Sequence, residues 1–127
     1  MPLKILLADD NQTFLSAVRR FLSMLPGAEV VAEARDGRAA LAAAEKLQPD
    51  LLLLDISMPG MNGLEVARSM MSWPRAPKIV FLTMHDNAPY RAAAAALGVV
   101  GLVGKSDFVL ELVPIVDRLL AERRDQG

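Results

Sequence analysis

Leu51-Leu52-Leu53-Leu54-Asp55-Ile56-Ser57-Met58-Pro59-Gly60-Met61-Asn62-Gly63 is the stretch on which the fold turns. Four leucines without a polar interruption suit a strand covered on both faces, the situation of an interior strand in a parallel sheet. Asp55 closes the run, and Pro59, Gly60, Asn62 and Gly63 then mark a loop. The same order recurs along the chain. Asp9 and Asp10 follow Leu3–Ala8, Thr83 follows Ile79–Leu82, and Lys105 follows Val99–Gly104. Ligands of open parallel sheets bind beyond the carboxyl ends of the strands. Three carboxylates, a hydroxyl and an ammonium are therefore expected to meet at one edge.

Working outward, strand and helix alternate five times with no break in composition. Residues 1–127 read as one domain, with 123–127 a tail or the start of a linker. Lys4–Ala8 is the first strand, and Asn11 caps a helix with Phe14, Leu15, Val18, Leu22 and Leu25 on one face. Pro26-Gly27 ends it. Glu29–Ala34 alternates enough to be a strand near the sheet edge, Asp36 caps a helix over Arg38–Leu47, and Pro49 stops that helix. Leu64–Ser72 is the third helix and Lys78–Leu82 the fourth strand. Asp86 or Asn87 starts a helix reaching Leu97, and Gly98 closes it. Val99–Val103 is the last strand. Asp107 caps a final helix carrying Leu110, Val113, Val116, Leu119 and Leu120, in which Pro114 costs a hydrogen bond or a kink unless it falls in the first turns. Right-handed crossovers wind five such units into a sheet with helices on both faces. The strand order 2-1-3-4-5 puts the most apolar strands in the middle and a topological switch beside strand one.

Composition narrows the function. At 127 residues and 53% hydrophobic content the chain can bury a proper core. The longest uncharged apolar stretch, Ala92–Val103, is too short to span a bilayer and carries Gly98 and Gly101. The first residues lack a secretory pattern, so the cytoplasm is the expected compartment. The absence of cysteine excludes a disulfide scaffold, a thiolate metal site and a cysteine nucleophile. A net charge of −1 with no long single-sign run gives no reason to expect a nucleic-acid or membrane surface.

Adjacent carboxylates repel: at about 5 Å and an effective dielectric near 20 the cost is on the order of 3 kcal/mol per pair. Either one stays protonated or a divalent cation sits among them. Oxygen-only donors and a single histidine favour a hard ion, and Mg²⁺ suits a small site that keeps waters and accepts an outside phosphate. Lys105 and Thr83 facing such an ion describe a pocket for a tetrahedral dianion. A carboxylate can itself be phosphorylated. Asp55, alone on the central strand before a Gly/Pro loop, is the expected acceptor.

These residues, Asp9-Asp10, the Asp55–Gly63 segment, Thr83 and Lys105, resemble the receiver domain of two-component response regulators over essentially the whole chain. The resemblance implies a flavodoxin-like doubly wound five-stranded parallel sheet with five helices. It implies that Asp55 takes phosphate from a histidine kinase or phosphotransfer protein. Asp10, Asp55 and the backbone carbonyl of Ser57 would ligate Mg²⁺ directly, and Asp9 through a water. Thr83 would bind a phosphoryl oxygen and Lys105 would pair with the same group. Partners, including a second phosphorylated copy, would dock on the face of helix 4, strand 5 and helix 5. The Gly98–Ser106 run is similar to receivers that precede a C-terminal helix-turn-helix, so transcription regulation is the implied output, with no direct nucleic-acid binding by this domain. The chain is expected to assist its own phosphoryl transfer and dephosphorylation, with no turnover of an external substrate.

Two positions depart from the family. Leu102 stands where receivers usually carry an aromatic residue that tracks the hydroxyl. Ser106 follows Lys105 where many carry proline in a cis bond. A cis bond without proline costs about 3–4 kcal/mol, so either a trans loop with altered lysine reach or a strained exception is expected. Ser57 and His85, each two beyond a site residue, are candidates to shape water access to the phosphate. The competing readings are a receiver-like interaction module independent of phosphate and an aspartate-nucleophile phosphatase. The latter wants a second acid where Ser57 stands.

Overall fold

The computed structural model describes residues 2–85 and 88–126, with side chains through Arg123. Strands and helices alternate: β1 (Leu3–Ala8), α1 (Gln12–Ser23), β2 (Ala28–Ala34), α2 (Gly37–Leu47), β3 (Leu51–Asp55), α3 (Gly63–Met70), β4 (Lys78–Thr83), α4 (Ala88–Leu97), β5 (Gly101–Gly104) and α5 (Phe108–Gln126). A 3₁₀ turn over Lys105–Asp107 joins β5 to α5. The strands are parallel in the order β2-β1-β3-β4-β5. This order agrees with the apolar runs, since β3, buried at every position, lies in the centre.

Alternation along the strands divides the core between two faces. Leu6, Leu52, Leu54 and Phe81 pack with Ala40 and Ala44 of α2, Val66, Ala67 and Met70 of α3, and Ala94 of α4. Ile5, Leu7, Leu51, Leu53, Val80, Leu82 and Val103 pack with Leu15, Val18 and Leu22 of α1 and Leu112, Val116 and Leu119 of α5. Truncating one of these leucines to alanine costs about 2–5 kcal/mol. Among the described residues no helix is long and apolar enough to cross a membrane.

Local chemistry sets the helix starts. Asn11 accepts from the Phe14 N–H, Asp36 from the Ala39 N–H, and Asn62 forms a capping box with Glu65. Gly98, at φ +69°, ends α4 in the left-handed conformation. The expected start of that helix, Asp86 or Asn87, lies outside the described residues.

Three expectations need correction. The last strand is Gly101–Gly104, because the Val99 N–H turns back to Ala94 and only the Val100 N–H reaches Ile79 of β4. Asp107 does not cap α5. It lies in the 3₁₀ turn, and Glu111 reaches back to accept from the Gly104 N–H at 3.3 Å. Leu110 is 77% exposed while Leu112 is buried. Leu112, Val116 and Leu119 share one stripe at spacings of four and three, and Leu110, six before Val116, faces away. Pro114 sits inside α5 at an exposed position, and the helix continues past it.

Candidate functional site at the carboxyl edge of the sheet

The strand ends bring the predicted polar residues to one edge. Asp9 and Asp10 follow β1, Asp55 ends β3, Thr83 ends β4 and Lys105 opens the turn after β5. Asp9, Asp55 and Thr83 are buried, whereas Asp10 is exposed. One carboxylate oxygen from each of Asp9, Asp10 and Asp55 lies within 4.8 Å of the others.

The two buried acids divide their oxygens alike. Asp9 Oδ1 accepts from the Asn11 N–H at 2.9 Å, and Asp55 Oδ1 accepts from the Ser57 N–H at 3.2 Å. Each acid thereby fixes the first bend of its own loop. Their Oδ2 atoms both face Lys105 Nζ, at 2.6 Å from Asp9 and 3.4 Å from Asp55. The Asp9 contact lacks the angles of a hydrogen bond and is an ion pair. Two carboxylates thus share one mostly buried ammonium with the third acid beside them, a formal surplus of two negative charges.

That surplus shows in the acid-base chemistry. Burial, then the charge of Asp9, pushes the Asp55 carboxyl up to about 6, against the pull of Lys105 and the Ser57 N–H. A hard dication matches the surplus, the all-oxygen donor set and the open side that exposed Asp10 leaves. The acidic corner therefore fits Mg²⁺.

Backbone packing keeps the loop after Asp55 close. The Gly63 N–H donates to the Ile56 carbonyl at 2.9 Å. A Cβ on Gly63 would run into the Asp55 carbonyl oxygen, so α3 can start here only with glycine. Opposite, Arg35 donates to the Asp10 carbonyl at 3.3 Å and to Gln12 Oε1 at 3.2 Å, steadying the β1–α1 loop.

Thr83 ends β4 at the same edge with its hydroxyl engaged locally. Its hydroxyl donates to the His85 carbonyl and accepts from the His85 N–H, each at 3.0 Å, so it serves the β4–α4 loop. The His85 side chain is exposed and lies outside the acidic cluster. No described peptide bond is cis, so Ser106 follows a trans bond, and Lys105 nonetheless reaches both acids. Leu102 is half-buried against the α2–α4 side of the core. Helical spacing alone makes Phe14 a packing residue, yet Lys105 Nζ stands over its ring at 5.0 Å from the centroid. Its place four residues after Asp10, in the first turn of α1, was the available signal.

A sequence model of the response regulator receiver domain matches residues 5–116. The chain is 36% identical over 117 residues to the transcriptional regulatory protein DegU of Brevibacillus brevis, covering 90% of this chain and 50% of that protein. The signal receiver domain of NarL from Mycobacterium tuberculosis shares 32% identity at a TM-score of 0.86, over 93% of this chain and 95% of that one. A two-component response regulator of the LuxR family from Aurantimonas sp. SI85-9A1 shares 33% identity at a TM-score of 0.87, over 96% and 87%. The chain spans about half the length of the curated relatives DegU and GacA.

Proposed function

The chain belongs to the response regulator receiver family, and from that premise we propose that it is a phosphorylation switch whose acceptor is Asp55. The observation that carries this reading is the division of oxygens at Asp55. A backbone N–H holds Oδ1, and the longer, 3.4 Å contact to Lys105 leaves Oδ2 the freer to attack. In the reaction a carboxylate oxygen of Asp55 bonds to phosphorus as the bond to the donor breaks, and the donor leaves with that electron pair. The donor is a histidine kinase or phosphotransfer protein. Lys105 balances the phosphoryl charge from its seat on Asp9.

Asp10, Asp55 and the Ser57 carbonyl would hold Mg²⁺ directly, and Asp9 through a water. When bound, the ion supplies charge neutralisation for the acids and the phosphoryl oxygens. The reaction modifies the protein itself, and no external substrate is turned over. Membership of the receiver family makes the cytoplasm the expected compartment.

Thr83 supplies the conformational step. To donate to a phosphoryl oxygen its hydroxyl gives up its donation to the His85 carbonyl, and the β4–α4 loop that this bond holds moves with it. A gap of a few kcal/mol between the two arrangements suffices for such a switch. The readout surface is the face of α4, β5 and α5, which suits a second copy of the chain. Output through an attached DNA-binding segment would make the whole protein a transcription regulator, with residues 123–127 a tail or the start of the linker.

Acetyl phosphate with Mg²⁺, followed by intact mass measurement, tests the acceptor. The expected result is one added phosphoryl group on wild type and none on Asp55→Asn. No gain on wild type under saturating donor would overturn the switch and leave a phosphate-independent interaction module. Amide shifts confined to Asp55 and its loop after phosphorylation would overturn the Thr83 relay alone.

A further inference from the structure

We propose that Phe14 is a positioning residue for Lys105, its ring face holding the ammonium against Asp9 and Asp55. Lysine carries a compact, strongly hydrated charge on a flexible stem, so an ammonium in a loop tends to swing into water. Here the Lys105 side chain is only 10% exposed. Asp9 and Asp55 take one side of it, and the Phe14 ring, 5.0 Å away at its centroid, is in contact as well. The negative face of an aromatic ring attracts a cation, most where water is excluded.

The ring is braced by the segment that carries the lysine. Phe108, three residues after Lys105, meets Phe14 edge-on at 5.4 Å and 76° and meets Phe21 at 5.8 Å and 84°. Movement of the 3₁₀ turn therefore shifts the lysine and the brace of its ring together. This accounts for accurate lysine placement with Ser106 after a trans bond. The arrangement lies on the α1/α5 side of the core, opposite Leu102, and so does not replace the aromatic residue missing there.

The inference rests on Lys105 being the phosphoryl partner, and the test separates the two. Phe14 is replaced with mono-, di- and trifluorophenylalanine, which keep the ring's shape while weakening its negative face. Phe14→Leu and Phe14→Trp are made alongside. Initial rates of phosphorylation by acetyl phosphate with Mg²⁺ should fall stepwise through the fluorinated series and about threefold to tenfold in Phe14→Leu, with Trp restoring them. In the metal-free protein the ring-current shift of the Lys105 ε-methylene protons should vanish in Phe14→Leu and persist in Phe14→Trp. A flat or rising fluorine series, whether or not Phe14→Leu folds, overturns the role of Phe14. Lys105→Met reacting at the wild-type rate overturns the reading of Lys105 instead.

Discussion

The site depends on two buried acids sharing a single cation. Asp50, at the other end of the sheet, has both oxygens committed, Oδ2 to the Lys4 N–H at 2.8 Å and Oδ1 to Arg123 at 3.1 Å. Asp9 and Asp55 instead share one ammonium, and burial, then the charge of Asp9, holds the Asp55 carboxyl near 6 against the pull of Lys105. Asp9→Asn should lower the Asp55 pKa toward the ordinary 3.8, because the second-largest cause of its rise is gone and Lys105 is left to Asp55. Burial, the largest cause, remains and keeps the return partial. The carboxyl carbon of Asp55, followed by NMR without metal, reports the midpoint. A midpoint unmoved by Asp9→Asn would mean that burial alone sets it.

At the scale of elements, the β3–α3 connection holds Asp55 at its place, and two substitutions in it should separate stability from function. Asn62→Ala removes the capping box and should cost about 1 kcal/mol in denaturant unfolding while leaving phosphate uptake intact. Gly63→Ala forces a methyl into the Asp55 carbonyl and should cost about 1–3 kcal/mol and slow phosphorylation too, since α3 must lift from the acceptor strand. Equal phosphorylation in the two variants would show that this backbone contact does not position Asp55. The sequence makes these elements readable to different depths. The buried strands announce themselves as continuous apolar runs, and Asn11 and Asp36 are legible because a cap depends on side chain and backbone a few residues apart. The phase of α5 is not, because the 3₁₀ turn and the packing of Val116 and Leu119 decide that Leu112 faces inward and Leu110 outward. Likewise the acids, Thr83 and Lys105 could be named from their strand-end positions. That Thr83 spends its hydroxyl on His85, and that Lys105 rests on Phe14, depends on side-chain directions that only the assembled sheet fixes.

For the molecule as a whole the acidic corner is a strain that low pH relieves and that a bound Mg²⁺ would relieve as well. Below pH 3.8 the Asp55 carboxyl is protonated in the folded and unfolded chains alike, and folding carries no penalty from it. As pH rises through about 6 the folded chain must ionise a buried carboxyl that the unfolded chain has already ionised, so stability present in acid is lost. A rise of about two pKa units corresponds to about 3 kcal/mol at most. Asp55→Asn should therefore be more stable than wild type by about 1–3 kcal/mol at pH 8 without metal, less than the full amount because it also gives up the Lys105 contact. At pH 4 the advantage should shrink to a small fraction of that. Mg²⁺ at a hundred times its Kd should add about 2.7 kcal/mol to wild type and far less to the variant, cancelling most or all of the variant's advantage. Trp73 suits this measurement: it is half-buried beside Ala44 and Gln48, past the end of α3 remote from Asp55, so its emission follows unfolding with little direct response to the metal. If Asp55→Asn gained nothing at pH 8 and Mg²⁺ left both proteins unchanged, the surplus charge at the sheet edge would not be the force that makes this corner a metal and phosphoryl site.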